Sequence, residues 1–293
     1  MSMMILAFPD YLRQCNRIAS RLNIPLVEIV LHHFPDSESY LRLPPSLPEH
    51  VIICRSLNQP NDKLIELLLC AKTAREFGAK RLTLIAPYLS YMRQDIAIQP
   101  GEAVSQRIIG NLLADLFDDV ITVDPHLHRI SSLSQAIPIK NAISLTAADE
   151  IGRFLKQKLE NALLLGPDSE SEQWITRIAH VTGFDYCIAG KERQGDKQVE
   201  ITLPTRQYRN QPVVIVDDVA STGRTLGNTG KRLQAAGCKD IYAVVTHPLF
   251  CGDAETYILQ SGVKSIWSTD SIEHRTACIG LDGLLAGAIK TIA

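Results

Sequence analysis

The residues best placed to do chemistry in this sequence lie in Val213-Val-Ile-Val-Asp-Asp-Val-Ala-Ser-Thr-Gly-Arg-Thr-Leu226. An apolar run delivers two adjacent carboxylates, Asp217 and Asp218, and the small polar loop Ser221–Thr225 then opens a helix. Ser and Thr hydroxyls, backbone N–H groups around Gly223 and the helix N-terminus together make an anion site. The two carboxylates would repel a phosphate, but they accept hydrogen bonds from sugar hydroxyls or ligate a metal. A sugar phosphate satisfies both halves of the segment. An acidic turn before a capped helix accounts for a lone Asp-Asp or a lone Ser-Thr-Gly, but poorly for the whole pattern.

Five other clusters stand out. Phe34-Pro-Asp-Ser-Glu38 joins an aromatic ring to Asp36 and Glu38, and by itself reads equally well as an acidic surface turn. Ala86-Pro-Tyr-Leu-Ser-Tyr-Met-Arg-Gln-Asp95 follows an apolar run, and Arg93 offers a guanidinium fork suited to phosphate oxygens. Val123-Asp-Pro-His-Leu-His128 puts two histidines two residues apart; with no further Cys or His in ligand pattern, the pair does not favour zinc. Gly166-Pro-Asp-Ser169 reads as a turn capping the next helix. Gly190-Lys-Glu-Arg-Gln-Gly-Asp-Lys197 reads as an exposed hairpin bearing Lys191 and Arg193.

These clusters sit at the ends of short β-rich runs that alternate with amphipathic helices. Strands are expected at Met4–Phe8, Val51–Cys54, Arg81–Ala86, Asp119–Val123, Ala162–Leu165, Tyr186–Ala189, Pro212–Asp217, Ile241–Thr246 and Ser265–Trp267. Helices are expected from Asn61 or Asp62 to Gly78, then over Glu102–Phe117, Leu145–Leu159, Ser171–Thr182, Arg224–Ala236 and Asp253–Gln260. The stripe Leu64, Leu67, Leu68, Ala71 and Ala74 marks the buried face of the first, and Val104, Ile108, Leu112 and Leu116 that of the second. Such alternation predicts parallel sheets covered on both faces, with ligands gathering at the carboxyl ends of the strands. Two apolar runs end in Asp, VITVD at 120–124 and VVIVD at 213–217, which hints at a duplication.

At roughly 150 residues per domain, 293 residues suggest two domains, placed at 1–140 and 141–293. With 30 basic and 32 acidic side chains, the formal net charge of -2 excludes a broadly basic nucleic-acid binder, though not a local patch for a phosphorylated ligand. No apolar run reaches the roughly 18 residues of a spanning helix, so no membrane partner is expected. The apolar start Met1–Phe8 lacks a basic flank, and the strand Met4–Phe8 is a better reading of it than a signal peptide. The 7 cysteines are unpatterned, which suits a reducing cytoplasm.

The segment 213–225 resembles the phosphoribosyl-pyrophosphate signature shared by type I phosphoribosyltransferases and ribose-phosphate diphosphokinases. The diphosphokinases often carry Asp-Thr-Gly-Gly-Thr in this loop, where this chain has Ser221 and Arg224 in place of the Asp and the second Gly. The other segments resemble the diphosphokinases alone. Phe34–Glu38 is similar to their Phe-x-Asp-Gly-Glu, with Ser37 for Gly, and implies adenine contacts through Phe34, Asp36 and Glu38, often into the site of a neighbouring subunit. The segment at 87–95 is similar to their Pro-Tyr-x-x-Tyr-x-Arg-Gln-Asp and implies that Arg93, Gln94 and Asp95 bind ATP. His126 matches a histidine that coordinates magnesium with ATP, an unusual ligand for that ion. Gly166–Ser169 resembles a Pro-Asp-x-Gly-Gly loop for a second metal and the pyrophosphate. Asp168 is kept, but Glu170 and Ser171 replace the glycines. Lys191 and Arg193 match two catalytic cations on a loop that closes over the reacting phosphates.

The resemblance therefore implies two tandem type I phosphoribosyltransferase-like domains, each an α/β fold with a mainly parallel sheet flanked by helices. It implies ATP and ribose 5-phosphate as substrates, Mg2+ as cofactor (His126, Asp168), ribose 5-phosphate held by Asp217, Asp218, Ser221, Thr222, Gly223, Arg224 and Thr225, and a homo-oligomer. The rival readings are a nucleobase-using phosphoribosyltransferase, which would not need the segments at 34–38 and 93–95, and a non-catalytic regulatory homologue, to which the altered 169–171 loop points.

Overall fold

The computed structural model describes residues 2–127, 129–194 and 198–292, with backbone alone over 191–194 and 198–200. The chain forms two compact units, Met1–Leu145 with Asp282–Ala293, and Thr146–Leu281.

The first unit contains β1 (Met3–Ala7), α1 (Leu12–Leu22), β2 (Leu26–Glu28), β3 (Val30–His33), β4 (Ser39–Arg42), β5 (His50–Cys54), α2 (Pro60–Glu76), β6 (Arg81–Ile85), α3 (Ser105–Leu116), β7 (Asp119–Val123) and β8 (Asn141–Leu145). The second contains α4 (Ala148–Lys158), β9 (Leu163–Gly166), α5 (Glu172–Thr182), β10 (Tyr186–Ile188), β11 (Gly190–Gln194), β12 (Gln198–Thr202), β13 (Val213–Ala220), α6 (Arg224–Ala235), β14 (Ile241–Pro248), α7 (Ala254–Gln260), β15 (Ser265–Thr269) and β16 (Ala277–Ile279). The last helix, α8 (Asp282–Ile292), returns to the first unit. There its first residue, Asp282, is paired with Arg21 and lies 3.6 Å from Arg17, both on α1. The expected division into 1–140 and 141–293 puts this segment in the second half. Asn141–Leu145 instead pairs with β7 as the first sheet's last strand, and the helix expected from Leu145 starts at Ala148.

The two sheets share one topology. Their strand orders are β2-β1-β5-β6-β7-β8 and β10-β9-β13-β14-β15-β16, all parallel. In both, the second strand in chain order lies on one side of the first and the rest follow on the other, with an antiparallel hairpin (β3–β4, β11–β12) inserted before the third. The duplication hinted at by the two Asp-ending runs is present, but those runs are not counterparts. VITVD is the fifth strand of its sheet and VVIVD the third of its own, so the counterpart of β13 is β5. Short Val/Ile runs ending in Asp are simply what buried parallel strands look like.

The central strands are buried on both faces, β5 and β7 along their whole length. Helix α2 buries the expected Leu64, Leu67, Ala71 and Ala74, and with them Glu66. It begins at Pro60, so Asn61 and Asp62 lie in its first turn and do not cap it. Helix α3 is rotated from the expected stripe: Ile108 is 53% exposed, while Gln106, Gly110, Leu113 and Leu116 face in. Gly110 sets that orientation, because a Cβ there would fall 1.8 Å from the carbonyl oxygen of Ala136.

At the amino ends of the first unit's strands, Asp119 accepts from Arg81 at 2.8 and 3.0 Å, from Thr83 at 2.8 Å and from Asn141 at 2.6 Å. Burial pushes this carboxyl up, but Arg81, Asn141 and Thr83 outweigh it and hold it below the usual carboxylate range. A depressed folded-state value stabilises fully above the unfolded value of about 3.9 and is lost as pH falls through the folded one. Because Arg81 is 31% exposed, its pairing is worth less than a fully buried one. Asp119→Asn is therefore expected to cost roughly 2 kcal/mol, or roughly 4–8 °C in Tm at pH 7. Thermal melts of both proteins should converge as the pH is taken below about 3.9; a pH-independent gap would show that the charge of Asp119 is not what stabilises.

Candidate active site

In the second unit, the chain crosses from one side of β9 to the other between β10 and β13, which makes a topological switch point beside β9 and β13. Two of the expected segments meet there. Asp168 follows the end of β9, and Asp217 and Asp218 lie on the neighbouring β13, which pairs with β9 through Val213–Ile215. Strand β13 runs beyond Asp217 to Ala220, because Val219 and Ala220 still pair with His247 and Pro248 of β14. The two carboxylates therefore lie within an ordered strand. Asp217 is half-buried and Asp218 buried, and the Asp218 N–H donates to Asp217 Oδ1 at 3.1 Å.

The loop after β13 is tied down where it leaves the strand. The N–H groups of Phe250 and Cys251 donate to the carbonyls of Ala220 and Ser221 at 2.9 and 2.8 Å. Gly223 takes φ 71° and is the residue from which α6 starts. Ser221 and Thr225 are half-buried and Thr222 is exposed. Arg224 is directed elsewhere: its Nη2 donates to both oxygens of Asp253 at 3.0 and 3.1 Å, and its guanidinium lies 4.0 Å over the Tyr257 ring. That geometry makes Arg224 a brace between α6 and α7.

The turn after β9 shows what the missing glycines do to it. The Glu170 N–H donates to Asp168 Oδ1 at 3.1 Å, and Ser171 Oγ donates to the Asp168 carbonyl at 2.5 Å. Ser171 is fully buried, against Gly166, where a Cβ would fall 2.2 Å from Ser171 Oγ. Glu170 is exposed. Ser171 is thus a packing residue that closes the turn, and Asp168 stays half-buried at the strand end. Lys191 and Arg193 are placed on β11, opposite Ile201 and Val199 of β12. Their side chains lie outside the described residues, as does His128.

In the first unit, β6 and β7 release the Arg93 and His126 loops side by side, their ladder continuing through Ala86 N–H to Ile121 O at 2.9 Å and Val123 N–H to Pro87 O at 3.1 Å. Gln106 of α3 supports the first loop, its side chain donating to Met92 O at 3.0 Å and its N–H to Gln94 O at 3.2 Å. Arg93 and Gln94 are exposed and His126 is half-buried. Asp95 is different: its carboxylate is 3% exposed and 2.5 Å from Arg129, so it joins the two loops. Phe34–Glu38 is the tip of the β3–β4 hairpin, closed by Phe34 N–H to Glu38 O at 2.8 Å and Ser37 N–H to Phe34 O at 2.9 Å. Ser37, which stands where the resembling segment has Gly, takes φ 74°, in the left-handed region that favours glycine.

Residues 3–116 match the family model described as the N-terminal domain of ribose phosphate pyrophosphokinase, and residues 142–276 match that of the phosphoribosyl transferase domain. A ribose-phosphate pyrophosphokinase of Methanopyrus kandleri is 30% identical over 295 residues, covering 99% of this chain and 100% of the relative. The chain belongs to the ribose-phosphate pyrophosphokinase family. Another ribose-phosphate pyrophosphokinase, from Saccharolobus solfataricus, is 34% identical, with 86% of this chain and 87% of the relative covered. The crystal structure of phosphoribosylpyrophosphate synthetase from Mycobacterium smegmatis superposes with a TM-score of 0.82 at 18% identity, covering 100% of this chain and 99% of that one, which shows the shared fold. The two matched ranges take in the segments at 34–38 and 87–95 of the first unit and the 213–225 segment of the second. No helix among the described residues is long and apolar enough to cross a membrane.

Proposed function

We propose that this protein transfers the diphosphoryl group of ATP to the anomeric hydroxyl of ribose 5-phosphate, giving phosphoribosyl pyrophosphate and AMP. One observation carries this reading most: at the second unit's switch point, the Asp168 turn and the Asp217–Thr225 segment stand on neighbouring strands, carboxylates beside an anion loop. Asp217 and Asp218 would accept from the ribose hydroxyls, and Ser221, Thr222, Thr225 and the α6 N-terminus would hold the 5-phosphate. Arg93 and Gln94, with Phe34, Asp36 and Glu38, would hold ATP. Asp95 and Arg224 act in this scheme as braces, through Arg129 and Asp253.

The anomeric oxygen attacks the β-phosphorus, the bond from that phosphorus to the bridging α-phosphate oxygen breaks, and the hydroxyl proton passes to solvent. Phosphoryl-type transfer asks the protein mainly for in-line placement and charge neutralisation. Lys191 and Arg193 would meet the charge that grows on the departing AMP oxygen. The donor chemistry suits magnesium: half-buried carboxylates at strand ends supply the one or two hard oxygens that this ion takes from a protein, the rest of its shell coming from substrate phosphates and water. Asp168 in the second unit would hold one such ion and His126 in the first unit another, and a bound ion would neutralise phosphate charge. The family resemblance supports a homo-oligomer, and the unpatterned set of 7 cysteines supports a cytoplasmic setting.

Mass spectrometry of the purified protein with Mg2+, ATP and ribose 5-phosphate tests the reading. AMP and phosphoribosyl pyrophosphate should appear together and only with both substrates. ATP binding without product would favour a regulatory homologue.

A further inference from the structure

The hairpin that carries Phe34–Glu38 has two different faces. On one, the Phe34 ring meets His32 and Tyr40 edge-on at 5.5 and 6.3 Å, and Phe34 and Tyr40 are 45% and 43% exposed. On the other, His33 and Ser39, the last cross-strand pair before the tip, converge on a single carboxylate of α2. His33 Nε2 lies 2.7 Å from Glu66 Oε1, and Ser39 Oγ donates to the same oxygen at 3.0 Å. The second Glu66 oxygen takes the Arg55 guanidinium, which also donates to Asp10 at 3.0 Å and lies 4.1 Å over the Phe8 ring. Lys63 completes the network, bonding Asp10 at 2.6 Å, the Ser56 carbonyl at 2.8 Å and Asn58 Oδ1 at 2.8 Å.

The Glu66 side chain is 1% exposed and that of Arg55 5%. Burial pushes the Glu66 carboxyl up, but Arg55, His33 and Ser39 outweigh it and hold it below the usual range, so it is an anion at neutral pH. Ionic groups this deep contribute little net stability compared with apolar ones, and their best-attested use is to fix the register of an element. The place of the network is informative. Asp10 follows β1 and Arg55 follows β5, the topological counterparts of β9 and β13. Where the second unit sets Asp168, Asp217 and Asp218, the first fills the corresponding place with a closed network of Asp10, Arg55, Lys63 and Glu66, and Glu66 holds the hairpin.

We infer that Glu66 is a positioning residue for nucleotide binding: it clamps the base of the β3–β4 hairpin so that Phe34, Asp36 and Glu38 are presented already ordered. This rests on the reading that the hairpin tip contacts ATP. Ser39→Ala breaks the clamp at its half-exposed end without leaving a buried charge unpaired, whereas Glu66→Gln, which strands Arg55, risks misfolding. In the full-length enzyme, each is expected to raise the KM for ATP about tenfold, with kcat and the KM for ribose 5-phosphate within about twofold of wild type. Hydrogen exchange over residues 33–40 should rise while β5 stays protected, and Ser39→Thr should restore both readouts. Wild-type ATP KM and wild-type exchange in folded Ser39→Ala would overturn the clamp, as would equal losses for both substrates. Phe34→Ala separates the two ideas. If it leaves the ATP KM unchanged, the nucleotide reading of the tip fails and exchange alone decides the clamp. If it raises the KM while Ser39→Ala does not, the clamp fails.

Discussion

Lys191→Ala should lower kcat about 10³-fold while leaving the KM for ATP and for ribose 5-phosphate within about threefold. The reasoning starts from the chemistry. Breaking the bond to the α-phosphate places new negative charge on the AMP oxygen, and a cation that meets it stabilises the transition state far more than the ground state. Removing an interaction made only in the transition state lowers kcat and kcat/KM together. The hairpin β11–β12, which carries Lys191, is inserted between the second and third strands of its sheet, where the first unit carries the Phe34–Glu38 hairpin. Each half of the duplication thus carries a hairpin at the same insertion point. Rapid-quench measurement of AMP formation at saturating substrates checks the result. Turnover near wild type would remove Lys191 from the catalytic role. A raised KM at unchanged kcat would make it a substrate-binding cation instead.

The parallel α/β architecture was legible because its signals are strong ones: a long apolar stripe on α2, and continuous Val/Ile runs at β7 and β13. What the sequence hid was mostly short or shared. Strands β3 and β4 are four residues each, and their alternation alone does not separate them from a polar loop. Strand β8 and the start of α4 ran together because Leu145-Thr-Ala-Ala is as good a helix start as a strand end. The segments on the β9 turn and the β13 loop were legible as motifs, but motif membership does not say which members are free to face a ligand. Asp95 and Arg224 sit inside convincing motifs, yet their charges are engaged by Arg129 and Asp253, partners 34 and 29 residues away in sequence. Glu66 and Arg55 carried no such signal: Glu66 lies off the apolar stripe of α2, and Arg55 directly follows an apolar run, as loop residues often do. Only their burial in the fold demands a pairing.

Gly223→Ala should raise the KM for ribose 5-phosphate about 30-fold or more, with the KM for ATP little changed. Two independent constraints meet at this residue. Its φ of 71° is a conformation that an L side chain adopts only with strain. A Cβ built there would also fall 2.8 Å from the carbonyl oxygen of Ala254 and 3.0 Å from the Ile258 side chain. Ala254 and Ile258 are both fully buried on α7, so the neighbour cannot retreat cheaply. The loop itself is stitched to Phe250 and Cys251, just before that helix. The added methyl must therefore displace the 221–225 loop, and with it the Ser221, Thr222 and Thr225 hydroxyls and the first N–H groups of α6. A misplacement on the order of 1 Å in such a site costs about 10²-fold, and 30-fold allows for partial relaxation. Asp168, Asp217 and Asp218 precede the strained point and keep their backbone supports, so the loss should fall on sugar-phosphate affinity. Calorimetric titration of the folded variant with ribose 5-phosphate reads it directly. Wild-type affinity there would mean that the 5-phosphate is not held by this loop at all.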